Sequence, residues 1–176
     1  YPAGLIPESR VVDATPENRT VEQVAPLARD FDLVVIFTSN ASFGADIATI
    51  SRLKEENPRL IAGLVGPQVS VLPEESLAAA PQVDFVARRE FDYTIMEIAE
   101  DRPWEDILGI SYRQNGRIRH NDDRPFIEDL DALPFVTEIY HRDLRMENYK
   151  IPYLRYPYLS IYTGRGCPHQ CVYCLW

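Results

Sequence analysis

The feature that most limits what this chain can fold into is a series of short apolar stretches, each followed by a helical period. Residues 32–37 (DLVVIF) and 60–65 (LIAGLV) are continuous apolar runs, the pattern of parallel strands covered on both faces. Between them Phe43, Ile47, Ile50 and Leu53 recur at spacings of four, three and three, which predicts a helix over 43–56. The alternation extends to either side. Residues 10–13 read as a short strand, and 20–29 as a helix capped by Thr20, with Val21, Val24 and Leu27 on one face and Pro26 weakening its second half. Further on, 73–80 reads as a helix opening on Pro73, 84–87 (DFVA) as a strand, and 92–99 as a helix. Such alternation predicts an α/β fold, a parallel sheet with helices on both faces. A strand and a helix ahead of Tyr1 would complete a flavodoxin-like domain, with residues 3–6 as the tail of that helix.

The pattern changes after Asp101. Residues 107–118 read as a hairpin: Ile110 and Tyr112 alternate, Asn115-Gly116 supplies a type I′ turn, and Ile118 follows. From 121 to 157 the chain is rich in charge, Pro and Tyr without a sustained period, and its many aromatics predict an ordered linker rather than a solvated tether. Residues 158–162 (YLSIY) read as a strand that runs into Thr163-Gly164-Arg165-Gly166-Cys167, where a new domain is expected to begin. The expected organisation is therefore an α/β domain over 1–104, a hairpin and linker over 105–157, and the start of a second domain over 158–176. The chain opens on Tyr1 rather than Met and ends two positions past its last cysteine, so both ends are expected to be cuts in a longer protein.

A net charge of −9 argues against a nucleic-acid surface, which needs clustered Lys and Arg. No apolar run is long enough for a transmembrane segment and no secretory signal opens the chain, which predicts a cytoplasmic protein. All three cysteines fall within the last ten residues. A disulfide framework would spread them along a small secreted chain, so clustering points to a metal or a cluster in a reducing compartment.

Cys167, Cys171 and Cys174 are separated by three and two residues, close enough for one loop to present three thiolates to a small inorganic core. Gly164 and Gly166 allow the backbone to bend sharply before that loop. A zinc site with His169 as fourth ligand is the alternative, although closed zinc sites usually use two pairs joined by a longer spacer. The spacing Cys-x-x-x-Cys-x-aromatic-Cys after a strand resembles the signature of radical S-adenosylmethionine (SAM) enzymes. The resemblance implies that Cys167, Cys171 and Cys174 bind a 4Fe–4S cluster, that SAM chelates the open iron, and that Tyr173 lies beside the SAM adenine. It further implies a partial TIM barrel, cleavage of SAM to a 5′-deoxyadenosyl radical, and an external electron donor such as flavodoxin or ferredoxin. Without the rest of that barrel, the chain alone is expected not to turn over.

An α/β domain ahead of such a motif resembles the cobalamin-binding radical SAM class. The resemblance implies a cobalamin tail across the carboxyl ends of the parallel strands, where ligands sit in open α/β sheets. The corresponding residues are Ser39 and Asn40, Gly66 and Pro67, and Glu90. A side chain at 66 is expected to project into that crevice, so Gly66→Leu is expected to block cobalamin while sparing the fold. The class often has Gly-Gly where this chain has Gly66-Pro67. The alternative is a domain that keeps the fold but holds substrate or only packs on the barrel. Methylthiotransferases of the superfamily carry three cysteines in their front domain, and residues 1–166 contain none. Stretches 11–14, 84–88, 127–138 and 162–167, with 174–176, resemble the radical SAM proteins of bacterial hopanoid biosynthesis that form the cyclitol ether. That resemblance implies a lipid or hopanoid-type substrate; another small molecule, with methyl transfer or cyclisation, is the alternative.

Overall fold

The two longest apolar runs become adjacent strands. In chain order the elements are α1 (Pro2–Leu5), α2 (Val21–Val24), β1 (Leu33–Phe37), α3 (Phe43–Glu56), β2 (Ile61–Val65), α4 (Pro67–Val71), α5 (Pro73–Ala79), β3 (Phe85–Ala87), α6 (Asp92–Ala99), β4 (Ile110–Gln114), β5 (Arg117–His120) and α7 (Val136–Asp143). The structure, a computed structural model, describes residues 1–162, 164–167, 169, 171, 172 and 174. It divides into two units: Pro2 with residues 20–127, and Tyr1 with residues 3–19 and 128–176.

The first unit is a five-stranded sheet in the order β1-β2-β3-β4-β5. β1, β2 and β3 are parallel, with Val34 opposite Ala62 and Leu64 opposite Val86. β4 returns antiparallel to β3, and β5 antiparallel to β4. Because side chains alternate across a strand, Val34, Ile36, Ala62, Leu64 and Val86 share one face. There they pack with Ile50 of α3, Val69 of α4 and Leu77 of α5. On α3, Ile50 and Leu53 are buried while Phe43 and Ile47 pack against that core from its edge, as their spacing predicts. On the opposite face the Phe85 ring lies over Gly63, where any Cβ would overlap it. Trp104 meets Phe85 and Tyr112 edge-on, at ring-centroid distances of 5.6 and 5.4 Å. Asn115 and Gly116 both have positive φ, 51° and 75°, which is the type I′ turn of the predicted hairpin. The sheet is thus mixed, because the hairpin adds to its parallel part.

Three local expectations change. The helix over 20–29 is one α turn followed by a 3₁₀ segment, Ala25–Asp30, because Pro26 has no N–H to continue the α ladder. Its start is as expected: the Gln23 side chain accepts the Thr20 N–H at 2.8 Å. Residues 10–13 form no strand. The Val11 N–H is taken instead by the Asp143 carboxylate at 2.7 Å, so it is not available to a ladder. Residues 158–162 form no strand either. Tyr158 donates one backbone bond, to the Tyr149 carbonyl at 3.2 Å, and strand geometry needs a continuous partner.

The second unit is built from the two distant ends of the described chain. Gly4 lies against Pro134 and Ile139 so closely that a Cβ would meet the proline ring. Tyr149 donates its hydroxyl to Asp13 at 2.7 Å. Burial is the main cause that raises the Tyr149 pKa, and the bond to Asp13 adds to it. Its aromatics divide: Tyr140 and Tyr149 are partly buried, whereas Phe135 and Tyr153 are exposed.

Candidate functional site

Three parallel neighbouring strands bring their carboxyl ends to one edge of the sheet, and the loops there are joined to one another. Thr38, fully buried, donates its N–H to the Val65 carbonyl at 2.8 Å and so carries the β1–β2 pairing one residue further. Ser39 and Ser42 exchange bonds across the turn into α3, with their hydroxyls 3.0 Å apart and the Ser39 N–H on Ser42 Oγ at 3.0 Å. The Asn40 carboxamide reaches Gln68 at 3.4 Å. Ser70 donates its hydroxyl to the Gly66 carbonyl at 2.9 Å and accepts the Arg89 N–H at 3.0 Å. Ser39, Asn40, Gly66, Pro67 and Glu90 therefore all lie on the loops of this one edge, with Pro67 opening α4.

Gly66 plays a different part from the one expected. Its φ of 111° lies in the region that only glycine adopts readily. A Cβ there would stand 2.5 Å from the Thr38 carbonyl oxygen. The expectation that Gly66→Leu spares the fold is corrected: the side chain would collide with backbone before reaching any crevice. Three residues at this edge, Ser42, Ser70 and Arg88, escaped the sequence reading. Ser42 and Ser70, with Gln68 of the expected loop, tie the loops together, and the Ser-x-x-Ser spacing of Ser39 and Ser42 was the available signal. Arg88 is buried directly after β3. Its guanidinium donates to Asp123 at 2.9 and 3.1 Å and to the carbonyls of Ile110 and Asn121 at 2.8 and 2.6 Å. It locks the hairpin to the strand end, and no local pattern marks it.

The cysteine loop belongs to the second unit. Cys167, Cys171 and Cys174 are exposed free thiols. The Cys174 N–H bonds to the Cys171 carbonyl at 3.0 Å, and Gly166 has a φ of 78°. Among the described residues no three His, Cys, Asp or Glu side chains gather as a metal-holding group. The donor chemistry nevertheless fits an iron–sulfur cluster, with three free thiols on one short loop and none tied in a disulfide. Tyr173, the expected neighbour of SAM, lies outside the described residues. Among the described residues no helix is long and apolar enough to cross a membrane.

No family model matches the chain. It is 30% identical over 183 aligned positions to an uncharacterized methyltransferase of Pyrococcus horikoshii, covering 99% of this chain and 39% of that protein. It is 29% identical over 126 positions to the anaerobic magnesium-protoporphyrin IX monomethyl ester cyclase of Synechocystis, covering 69% of this chain and 24% of the cyclase. The chain thus spans well under half the length of both relatives. Among solved structures it is similar to the radical SAM methyltransferase TsrM of Kitasatospora setae with cobalamin and a 4Fe–4S cluster bound. The TM-score is 0.55 at 12% identity, over 76% of this chain and 28% of TsrM. It is also similar to the cobalamin-dependent SAM radical enzyme OxsB, with a TM-score of 0.50 at 19% identity, over 61% of this chain and 16% of OxsB. The chain therefore shares an α/β fold with part of each of these two enzymes.

Proposed function

We propose that this chain is the cofactor-holding front part of a cobalamin-dependent radical SAM enzyme whose reaction is methyl transfer. The observation that carries the proposal is the pairing of a Cys-x-x-x-Cys-x-x-Cys loop with an α/β unit of the fold seen in TsrM and OxsB. A named methyltransferase aligned over 99% of the chain favours methyl transfer. The named cyclase favours cyclisation as the second reading of the reaction. A hopanoid substrate rests only on the stretches quoted above, and neither relative described here supports it. The boundaries near 104 and 157 are proposed with the same reading, the cysteine loop beginning a barrel.

In this proposal the thiolates of Cys167, Cys171 and Cys174 hold the cluster, and Tyr173 flanks SAM. Three protein ligands leave one iron for SAM, and when reduced the cluster supplies the electron that cleaves it. The protein's own part is to hold and orient these groups and keep water from the site. Ser39, Asn40, Pro67 and Glu90 are proposed to line the cobalamin crevice, with flavodoxin or ferredoxin as the electron donor. Gly66 needs no ligand to explain it, since Thr38 alone demands a glycine there. That favours, as a second reading of the front unit, one that packs on the barrel or holds substrate.

Two measurements on the whole protein test the proposal. Anaerobic reconstitution should give about four irons and four sulfides per chain, lost on changing Cys167, Cys171 or Cys174 to Ala. Stoichiometric zinc without sulfide would overturn it. Titration with hydroxocobalamin should change its visible spectrum and raise the melting temperature, by about 2.7 kcal/mol of stabilisation at a hundred times the dissociation constant. Neither change at saturating cobalamin would leave the radical SAM assignment standing and remove cobalamin from it.

A further inference from the structure

The second unit contains an open concavity of about 650 Å³ walled by two segments far apart in the chain, 10–19 and 141–148. Four guanidinium groups line it, from Arg10, Arg19, Arg142 and Arg145, together with His141 and Asn148. The two carboxylates on the same wall are already engaged. Asp143 receives Arg142 at 2.8 and 2.9 Å and the Val11 N–H at 2.7 Å. Glu17 receives Arg19 at 3.4 Å. Those pairs hold the wall together. Arg10 and Arg145 are exposed and form no ion pair among the described residues, so two positive charges face shared space in a chain of net charge −9.

A hollow in which four arginines outnumber two carboxylates carries a net positive potential, which raises the local concentration of an anionic ligand. Ion pairing engages Arg19 and Arg142, Arg10 contributes only a longer-range attraction to Asp143, and Arg145 has no ion pair among the described residues. Guanidinium forks match the oxygens of a phosphoryl group two at a time, and the carboxamide of Asn148 adds a neutral donor. The hollow is open to solvent, so an organic remainder on the phosphoryl group need not be enclosed by it. We infer that this concavity binds a phosphate-bearing small molecule or headgroup, with Arg10 and Arg145 as its primary contacts. The site stands independently of the cluster and cobalamin readings.

The test uses inorganic pyrophosphate as probe with the full chain, followed by isothermal titration calorimetry. One saturable site is expected. The double variant Arg10→Gln with Arg145→Gln should weaken it roughly tenfold or more with little change in melting temperature, since neither side chain makes a hydrogen bond or short ion pair among the described residues and Arg10 acts on Asp143 only at longer range. Arg117→Gln, on β5 of the other unit, changes the same kind of charge outside the cavity and should leave binding as it was. Co-sedimentation with phosphatidylcholine vesicles containing phosphatidic acid separates the two sources. Capture lost in the double variant identifies a lipid headgroup, and pyrophosphate binding without capture identifies a free phosphorylated molecule. Absence of saturable pyrophosphate binding, or equal weakening by Arg117→Gln, overturns the inference.

Discussion

The sheet unit and the cysteine-bearing unit are held together by different physics. In the sheet unit, strands and helices close in sequence bury one another's apolar faces, and Ile50, Leu64, Phe85 and Ile110 are fully enclosed. In the other unit the described residues are mostly exposed or half-buried. Its ends meet through polar tethers spanning more than a hundred residues: Val11 to Asp143, Asp13 to Tyr149, Tyr1 to Tyr162. Hydrophobic burial scales with area and tolerates small adjustments, whereas a tether depends on a single donor meeting a single acceptor. One unit is therefore robust through redundancy, while the other adds a few polar tethers to a small apolar contact of Gly4 with Pro134 and Ile139. Its cysteines and its cationic hollow lie in that second setting.

Phe85→Ala strikes the redundant unit where it is densest. It removes the ring over Gly63 and the edge contact with Trp104, and should cost about 3–5 kcal/mol in urea unfolding. A loss under about 1 kcal/mol would mean that the sheet face is not the source of its stability.

Gly66→Leu should come next, with about 1–3 kcal/mol of backbone strain plus overpacking against the Thr38 carbonyl. The decisive readout is a lower melting temperature without any cobalamin present. An unchanged melt would restore the view that this glycine serves only a ligand.

Asp143→Asn probes the tethered unit and should cost about 1 kcal/mol, concentrated in faster hydrogen exchange at the Val11 amide. The pH dependence follows from the same group. The bond from Arg142 lowers the Asp143 pKa below the ordinary aspartate value. A lowered carboxylate favours folding above its unfolded pKa, and that contribution is lost as pH falls through the unfolded value toward the folded one. Acidification into that range should therefore lower the protection of the Val11 amide, its exchange relative to the intrinsic rate at each pH, in the natural chain and leave that of the Asn variant unchanged. Equal acid sensitivity in both would place the tether elsewhere.

Where contacts are local, the sequence speaks plainly. The spacing of Phe43, Ile47, Ile50 and Leu53 carries α3, the runs at 33–37 and 61–65 carry β1 and β2, and Asn115-Gly116 carries the hairpin turn. Periodicity and turn chemistry act over a few residues, so neighbours in sequence suffice to express them. The cysteine spacing is legible for the same reason, since one short loop holds all three thiols. Long-range geometry decided the rest. Val11 and Val12 have a strand's composition, but a carboxylate 132 residues away claims the Val11 amide. Gly66 is required by the backbone of a neighbouring strand end. Arg10 and Arg19 join Arg142 and Arg145 only because distant segments are folded side by side. In each case the deciding partner is remote in sequence, and no local pattern can name an atom that folding brings from more than a hundred residues away, or from the next strand.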